Sequence, residues 1–252
     1  MISSEELRGK AAAYGVPEDQ ILRDHLISHL LFALSTLDSP RVTFFGGTAL
    51  CRTWARDTRL SEDVDLLVED HVDASARLPA LISRGIRREF PETRWIDLGR
   101  LHEVVTQELR TGEGIALKVQ LTRWRPEWRR LPCVATQVRL RYSDLPESVI
   151  LDVPTPASIV TMKLLAWSDR QAPRDLFDLD TLATGGYFTE EVRELFQAIA
   201  GYPPLETFRR GGLPRNVEDH WRSELCHQMD ELPSARSCLE TVRRALEAIA
   251  LD

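Results

Sequence analysis

Two neighbouring segments constrain the fold of this chain more than any other feature. A β-branched and aromatic run, Val42-Thr43-Phe44-Phe45, stops at Gly46-Gly47, and a later apolar run begins with Asp63-Val64-Asp65. The first run predicts a strand, the glycines predict a tight turn, and residues 48–56 are a plausible short helix. The pattern therefore predicts a strand, a turn, a helix and a second strand with acidic first residues.

The remaining periodicity predicts a mixed first part and a helical last part. Helical spacing covers residues 18–37 and 78–90, and strand-like runs cover residues 94–98, 104–109 and 115–121. The later segments with helical spacing are residues 157–168, 174–183, 190–200 and 233–249. Pro154 and Pro156 mark the boundary, because proline removes a backbone donor and restricts the preceding residue. We predict an α+β chain with domains at residues 1–153 and 154–252.

The composition excludes several classes of protein. Hydrophobic residues make up 43% of the chain and charged residues 28%, which is ordinary for a globular protein and excludes disordered, collagen-like and coiled-coil chains. The apolar stretches are far shorter than the roughly 20 residues of a membrane span, and early acids argue against a secretory signal. We expect a cytoplasmic protein with no membrane partner. Four cysteines without a CxxC pair predict free thiols.

Asp63 and Asp65 are the first candidates for chemistry. Residues two apart on a strand point to the same side, so their carboxylates converge. Carboxylates are hard oxygen ligands, and no histidine or cysteine accompanies them. Such a pair suits Mg²⁺, which would connect the protein to the phosphates of a substrate. The Gly46-Gly47 turn before a helix leaves unpaired amide groups and a positive dipole end, which both favour phosphate. Thr48 either contacts the bound phosphate or is the N-cap of the helix, and the two roles are compatible.

A second cluster lies in the helical part. Asp175 and Asp178 are three residues apart and share a helix face, Arg174 precedes them, and Lys163 lies in the apolar run of the helix before. On spacing alone, a surface helix with ordinary ion pairs explains the acids. A lysine at the edge of an apolar helix explains Lys163.

Four motifs in this order resemble those of the AbiEii-type nucleotidyltransferase toxins, MenT-like members of the DNA polymerase β superfold. They are Phe-Gly-Gly-Thr-Ala-Leu, Arg-Leu-Ser-Glu-Asp-Val-Asp-Leu, Lys-Leu-Leu-Ala and Arg-Asp-Leu-Phe-Asp-Leu, within about residues 42–180. The resemblance implies an N-terminal polymerase-β-like nucleotidyltransferase domain with a mixed sheet. It also implies a C-terminal helical bundle, with the active site in the cleft between the two.

The resemblance further implies a role for each matching residue. The glycines and threonine would hold a triphosphate, and the strand aspartates would bind Mg²⁺, with Mn²⁺ as an alternative ion. The lysine would contact the phosphates, the first helical aspartate would position or deprotonate the acceptor hydroxyl, and its neighbours would be further members of the site. The residues are Gly46, Gly47, Thr48, Asp63, Asp65, Lys163, Arg174, Asp175 and Asp178.

The reaction implied is attack of an acceptor hydroxyl on the α-phosphorus of CTP or another ribonucleotide, with loss of pyrophosphate. The implied acceptor is RNA, at the 3′ end of tRNA, so that translation stops until a cognate antitoxin restrains the toxin. Transfer to a small molecule or a protein hydroxyl is a second interpretation, because this superfold serves many acceptors. A catalytically inactive nucleotide-binding module is a third.

Two residues near the acidic pair qualify these expectations. Gln120 stands on the strand where polymerase β relatives commonly carry a third carboxylate, and glutamine is a poor Mg²⁺ ligand. The sequence therefore puts a full two-metal site in doubt. Ser61 lies two residues before Asp63. We hypothesise that a phosphate or nucleotide on Ser61 would crowd the acids with negative charge and switch the enzyme off.

The stretch of residues 118–141 is the basic part of an acidic chain. It holds seven basic residues and one acid, a local charge of +6, whereas the whole chain carries −7. Trp124 and Trp128 lie among the arginines, which suits RNA binding through Arg125, Arg129 and Arg130 with stacking of an unpaired base. Solvated arginines beside two core tryptophans are the alternative.

One further spacing has a structural explanation. His25 and His29 are spaced as in a metalloprotease helix, but Leu26 stands where the general-base glutamate belongs. We interpret both histidines as ordinary helix residues.

Overall fold

The structure, a computed structural model, describes residues 2–56, 58–209, 212–229 and 231–251. The chain forms two compact units. The first unit contains Met1–Arg125 and Val134–Val153, and the second contains Pro126–Cys133 and Pro154–Asp252. In the described part of the chain, every helix falls short of the length and hydropathy that a bilayer-spanning segment needs.

Helices α1 to α4 and strands β1 to β7 build the α+β part of the chain. Their bounds in chain order are α1 Ser4–Tyr14, α2 Glu18–Ser35, β1 Thr43–Phe45, α3 Gly46–Arg52, β2 Asp63–Val68, α4 His71–Ile86, β3 Thr93–Leu101, β4 Val104–Thr111, β5 Ala116–Arg123, β6 Cys133–Arg139 and β7 Ser148–Pro154. The strands form one mixed sheet in the order β3-β4-β5-β2-β1-β7-β6. Strand β2 runs antiparallel to β1 and parallel to β5, and it occupies the centre of the sheet.

One face of this sheet forms the core of the first unit. Val64 and Leu66 of β2 and Val119 of β5 are fully buried with residues of α2 and α4. The two helices approach closely, because a Cβ atom on Gly85 of α4 would lie only 2.6 Å from the Cβ of Ala33 on α2. Since strand residues alternate between faces, the intervening residues of β2 and β5 lie on the opposite face. Its end at Asp63, Asp65, Lys118 and Gln120 is half-buried or exposed, and we call this end the open face.

The strands β3, β4 and β5 and the mixed sheet confirm the sequence prediction, whereas two strands and one helix boundary were missed. Strands β6 and β7 were not predicted, although β7 pairs in parallel with β1. Helix α4 begins at His71 and not at Leu78. Asp70 caps it by accepting hydrogen bonds from the amides of Val72 and Asp73. This N-cap starts the helix before Pro79, although proline disfavours a helix interior.

The second unit is helical. Its helices are α5 Pro156–Arg170, α6 Pro173–Thr184, α7 Glu190–Ala200, α8 Glu206–Arg209, α9 Arg215–Leu225 and α10 Ala235–Leu251, and a single 3₁₀ turn covers Glu127–Arg130. Its core includes Trp167, whose ring stacks on Phe208 with centroids 5.3 Å apart. The predicted helical part is confirmed, while α8 and α9 were not predicted from the periodicity.

Candidate active site

Two carboxylates stand at the start of the central strand of the sheet. Asp63 and Asp65 are the first and third residues of β2, and both are half-buried while Val64 between them is fully buried. The register places Asp65 beside Phe45 on β1 and beside Gln120 on β5. Both aspartates therefore lie on the open face of the sheet, as their spacing predicts.

Gly46 lies directly against the carboxylate of Asp65. A Cβ atom added at residue 46 would lie 2.9 Å from Cγ of Asp65 and closer still to its Oδ2. Residue 46 also has a φ of +80°, which L side chains rarely adopt. Glycine is therefore required here both for the backbone conformation and for the close approach of the turn to Asp65.

Thr48 connects α3 to the start of β2. Helix α3 begins at Gly46 and ends at Arg52, so Thr48 is its third residue and the N-cap position is Phe45. The N-cap interpretation and the predicted helix bounds are therefore wrong. Thr48 is 1% exposed, and its hydroxyl donates to the carbonyl of Asp63 and hydrogen-bonds the Ser61 hydroxyl at 2.7 Å.

Ser61 is buried at the same junction, with 7% of its surface exposed. A modifying enzyme would reach its hydroxyl after a local opening of the contact with Thr48. A phosphate there would separate Thr48 from the start of β2. The hypothesis that modification of Ser61 switches the protein off stays a prediction, and the structure adds this opening as a requirement.

A buried charge network holds the other end of α3. Arg52 is fully buried and donates to Asp24 Oδ1 at 2.7 Å and to the carbonyl of Arg139 at 2.8 Å. Arg141 and Tyr142 also donate to Asp24. Burial alone would raise the pKa of Asp24, but the charges of Arg52 and Arg141 hold it below its ordinary value. The partners come from distant parts of the chain, so no local pattern predicted this network.

The two residues of β5 beside the acidic pair are not acids. Asp65 pairs with Gln120, the residue that the resemblance places on the strand of the third carboxylate, and Asp63 pairs with Lys118. Across from Lys118, on β4, lies Glu108, which forms an ion pair with Arg110. The protein therefore provides two neighbouring carboxylates on this face, with a lysine beside one of them. Alternation along β5 was the signal that could have placed Lys118 here.

Lys163 lies in a cluster of balanced charges within the second unit. Its Nζ atom is 3.1 Å from Asp175 Oδ1 and 2.6 Å from Asp178 Oδ2. Arg170, at the end of α5, donates to both carboxylate oxygens of Asp175 at 2.7 and 3.0 Å. Asp175 is fully buried, Asp178 nearly so, and the lysine side chain is 11% exposed. The interpretation of these aspartates as members of a surface helix is therefore wrong.

The cations of this cluster make Asp175 a weak base. Burial would raise its pKa, but the charge of Lys163 and the hydrogen bonds and charge of Arg170 outweigh burial and lower the pKa below 3.8. Arg170 lies between two of the motifs, and the sequence pattern assigned it no role. Arg174 points elsewhere, with its Nε 4.0 Å from Glu224 on α9.

The basic stretch is exposed only in part. Arg125, Arg129 and Arg130 are exposed, and Trp124 and Trp128 are half-buried and so do not belong to a core. Arg125 lies 3.8 Å from Glu103. The stretch begins in the first unit and continues into the second at residue 126. Because Arg141 is bound to buried Asp24, the exposed charge is lower than the count of +6 suggests.

Comparisons with known proteins place the chain in a family. A family model described as "Nucleotidyl transferase AbiEii toxin, Type IV TA system" matches residues 29–248. MenT4, a nucleotidyltransferase toxin from Mycobacterium tuberculosis H37Rv, shares the fold with a TM-score of 0.66 at 20% identity, over 99% of this chain and 90% of that chain. JHP933 from Helicobacter pylori has a TM-score of 0.58 at 16% identity, over 93% of each chain. No curated protein matches.

The family match spans most of the chain, including both strand aspartates, the lysine cluster and the helical part. The solved structures share its fold. The protein therefore belongs to the AbiEii family of nucleotidyltransferase toxins.

Proposed function

We propose that this protein is a Mg²⁺-dependent nucleotidyltransferase that transfers a nucleoside monophosphate from a ribonucleoside triphosphate, such as CTP, to the 3′ end of tRNA, and so blocks translation. The observation that carries the proposal is the placement of Asp63 and Asp65 on one open face, with the backbone of Gly46 against Asp65. Membership of the family supports the class of reaction. The proposal of tRNA as the acceptor goes one step further than the family match does.

The residues on this face fit a divalent cation. Two carboxylates lie on the same face there, and glycine at residue 46 lets the backbone approach Asp65 without a clash at Oδ2. Asp63 and Asp65 would hold Mg²⁺, while Lys118 and Gln120 beside them add no carboxylate. The bound ion would supply positive charge to the triphosphate oxygens and to the attacking oxygen. Two protein carboxylates are consistent with one ion held mainly by the protein.

The protein's own groups would bind and position the reactants. The amides of Gly46, Gly47 and Thr48 are the candidates for the triphosphate, and the family resemblance makes Lys163 a candidate cation for phosphate. Asp175 has both oxygens engaged by cations and a lowered pKa. We therefore assign it, with Asp178, the role of holding Lys163 rather than that of a general base.

Replacement of Gly46 by alanine tests the contact with Asp65. We expect Gly46→Ala to lower nucleotide transfer by at least about 100-fold, because displacement of a catalytic group by about 1 Å costs that much. The free energy of unfolding should also fall by about 1–2 kcal/mol, the cost of a left-handed backbone for an L residue. Transfer kinetics and chemical denaturation measure the two effects.

The matched control for this variant is Gly114→Ala. Gly114 has a φ of +88°, close to that of Gly46, but nothing lies within 4 Å of an added Cβ. It should lose similar stability and keep full activity. Equal activity of the two variants would show that the contact between residue 46 and Asp65 does not matter for transfer.

The exposed arginines of the basic stretch give a prediction for the acceptor. Replacing Arg125, Arg129 and Arg130 by alanine should weaken tRNA binding, and the slope of log affinity against log salt should fall by about one for each lost phosphate contact. Filter binding or fluorescence anisotropy at several salt concentrations measures both quantities.

A second triple variant controls for net charge. Arg84, Arg87 and Arg88 are also exposed and lie at the end of α4, so their replacement by alanine removes the same charge elsewhere. If both triple variants bound tRNA with the same affinity and slope, the basic stretch would not be the RNA interface.

The direct test of the proposed function is a labelling experiment. Purified protein with Mg²⁺ is incubated with total tRNA and each α-³²P-labelled ribonucleotide in turn, beside the Asp63→Asn variant. We expect one or more nucleotides to label tRNA in the wild type and none in the variant. This outcome would identify the nucleotide and the class of acceptor together.

Other outcomes separate the alternatives. If tRNA stayed unlabelled while a small molecule or a protein took up label, the nucleotidyltransferase would be correct and the acceptor wrong. If no nucleotide were transferred to anything but the protein still bound nucleotide, an inactive binding module would be favoured, and the glutamine at position 120 would be its cause. The type IV toxin-antitoxin description of the family implies a cognate antitoxin, and we propose that such a protein neutralises this chain.

A further inference from the structure

A group of four side chains in the first unit lies apart from Asp63 and Asp65 in the sequence and comes from three different segments. His25 and His29 are one helical turn apart on α2, Glu89 follows the end of α4, and Asp144 lies between β6 and β7. One ligand atom from each of the four lies within 4.8 Å of all the others. The three segments are distant in the chain, so the fold alone brings these groups together.

Three of the four atoms form a nearly regular triangle. His25 Nε2 is 3.0 Å from Asp144 Oδ2 and 3.1 Å from His29 Nε2, and His29 Nε2 is 3.3 Å from the same oxygen. Zinc bonds of about 2.0–2.1 Å to nitrogen and oxygen in a tetrahedral site place neighbouring ligand atoms about 3.3 Å apart. The observed separations are close to that value.

Hydrogen bonds alone satisfy this triangle poorly. A neutral imidazole has one N–H, so each Nε2 is either a donor or an acceptor. If both rings donate from Nε2 to Asp144, two N–H groups face each other across the 3.1 Å between His25 and His29. If one ring accepts, its lone pair faces the carboxylate oxygen. A cation at the centre of the triangle removes either repulsion.

The surroundings hold both rings in place. The His25 ring lies 5.7 Å from Phe90 and 4.8 Å from Tyr142, and the His29 ring lies 5.5 Å from Phe90. The His25 side chain is 2% exposed. Burial, followed by the charge of His25, lowers the pKa of His29 below 6.5 against the opposing effect of Asp144 and Glu89.

We propose that His25, His29, Glu89 and Asp144 form a structural Zn²⁺ site. Two imidazoles and two carboxylates are a donor set that suits zinc, and Mg²⁺ favours oxygen ligands instead. The ion would link α2, the turn after α4 and the loop between β6 and β7. Four protein ligands leave no open position, so the site would stabilise the first unit and take no part in catalysis. The interpretation of the two histidines as ordinary helix residues is replaced by this proposal.

The test uses the full-length protein in which other metal-binding groups have been removed. The background carries Asp63→Asn and Asp65→Asn, and Cys133→Ser and Cys226→Ser replace the two exposed thiols. After chelator treatment, Co²⁺ is added as a spectroscopic probe, and Zn²⁺ then competes with it. We expect one equivalent of Co²⁺ with the intense visible absorption of a tetrahedral site, complete displacement by one equivalent of Zn²⁺, and a higher Tm with Zn²⁺.

Two variants within this background test the ligands. His29→Ala and, separately, Glu89→Ala should weaken Zn²⁺ binding, the first by at least about 100-fold, the upper end of what loss of a supporting group costs a metal site. Glu89 lies in a half-exposed turn, so its variant should fold even if His29→Ala does not. His220→Ala, on the exposed surface of α9, is the control and should bind as the background does. Failure of the background to bind Zn²⁺ stoichiometrically, or equal affinity in Glu89→Ala and His220→Ala, would overturn the proposal.

Discussion

Asp63→Asn is expected to lower the rate of nucleotide transfer by at least about 1000-fold while leaving the fold unchanged. The substitution keeps the size of the side chain but removes the negative charge that a divalent cation requires, and loss of a group that neutralises transition-state charge has an effect of this size. Asp63 lies on the open face of β2, so its replacement should leave the core packing intact. Steady-state kinetics and the thermal unfolding temperature measure both parts.

Asp73→Asn is the control for that prediction. Asp73 is an aspartate in the same unit, half exposed on α4, and it forms a surface ion pair with Arg77 at 3.1 Å. Such pairs contribute about 0–1 kcal/mol, so the control should keep both activity and stability. An Asp63→Asn protein that transfers nucleotide at a rate within tenfold of the wild type would remove this residue from the catalytic site.

Asp175→Asn is expected to lower the free energy of unfolding by about 3–5 kcal/mol. Removing one partner of a buried ion pair leaves the other charge unbalanced, and that loss has this magnitude. In this protein Lys163, which is 11% exposed, would keep only Asp178, and Arg170, which is 61% exposed, would lose its carboxylate partner, so one positive charge of the cluster would be left unbalanced. Asp169→Asn, an exposed neighbour of Arg170, should change stability by less than about 0.5 kcal/mol.

The effect of Asp175→Asn should depend on pH in a definite direction. The pKa of Asp175 is lowered from 3.8 in the folded protein. Its contribution to stability is therefore complete above the unfolded value and is lost as the pH falls through the lower folded value. Denaturation of the wild type and the variant from pH 7 downward should show a constant difference that narrows only below about pH 4. A difference of less than 1 kcal/mol at pH 7 would contradict the buried cluster.

The part of the site that could be predicted from the sequence is the part encoded by local pattern. The strand that ends in Gly46-Gly47 and the alternation around Asp63 and Asp65 depend on residues within a few positions of each other. Alternation on a strand has one geometric outcome, so both acids were expected on one face. Gln120 was expected on this strand from the family resemblance, and the register places it beside Asp65.

The parts that could not be predicted depend on contacts between distant segments. The aspartates of α6 have the spacing of a surface helix, and only the fold shows that Lys163 and Arg170 of α5 bury them in ion pairs. Thr48 has the composition of an N-cap, but its hydroxyl binds the carbonyl of Asp63 instead. Tertiary hydrogen bonds of this kind leave no periodic signal in the sequence.

The missed strands have a related explanation. In β6 most residues are exposed and Val138 is the one fully buried side chain, so the alternation that identifies a half-buried strand is weak. Strand β7 pairs with β1 over a sequence separation of about 100 residues. The stretch that contains β6 is also rich in arginine, and its charge indicated a binding surface rather than a strand. Arg141 shows the limit of such counts, because its side chain is buried against Asp24 inside the first unit.

The measurement that tests the central claim most directly compares two forms of the same tRNA as acceptors. One is intact, and in the other periodate has oxidised the terminal 2′,3′-diol so that no 3′ hydroxyl is left to attack the α-phosphorus. The proposed function predicts that the wild-type protein with Mg²⁺ transfers label from an α-³²P ribonucleotide to intact tRNA alone, and that Asp63→Asn transfers it to neither. Equal labelling of the two tRNAs, or no labelling of intact tRNA by any of the four ribonucleotides, would contradict it.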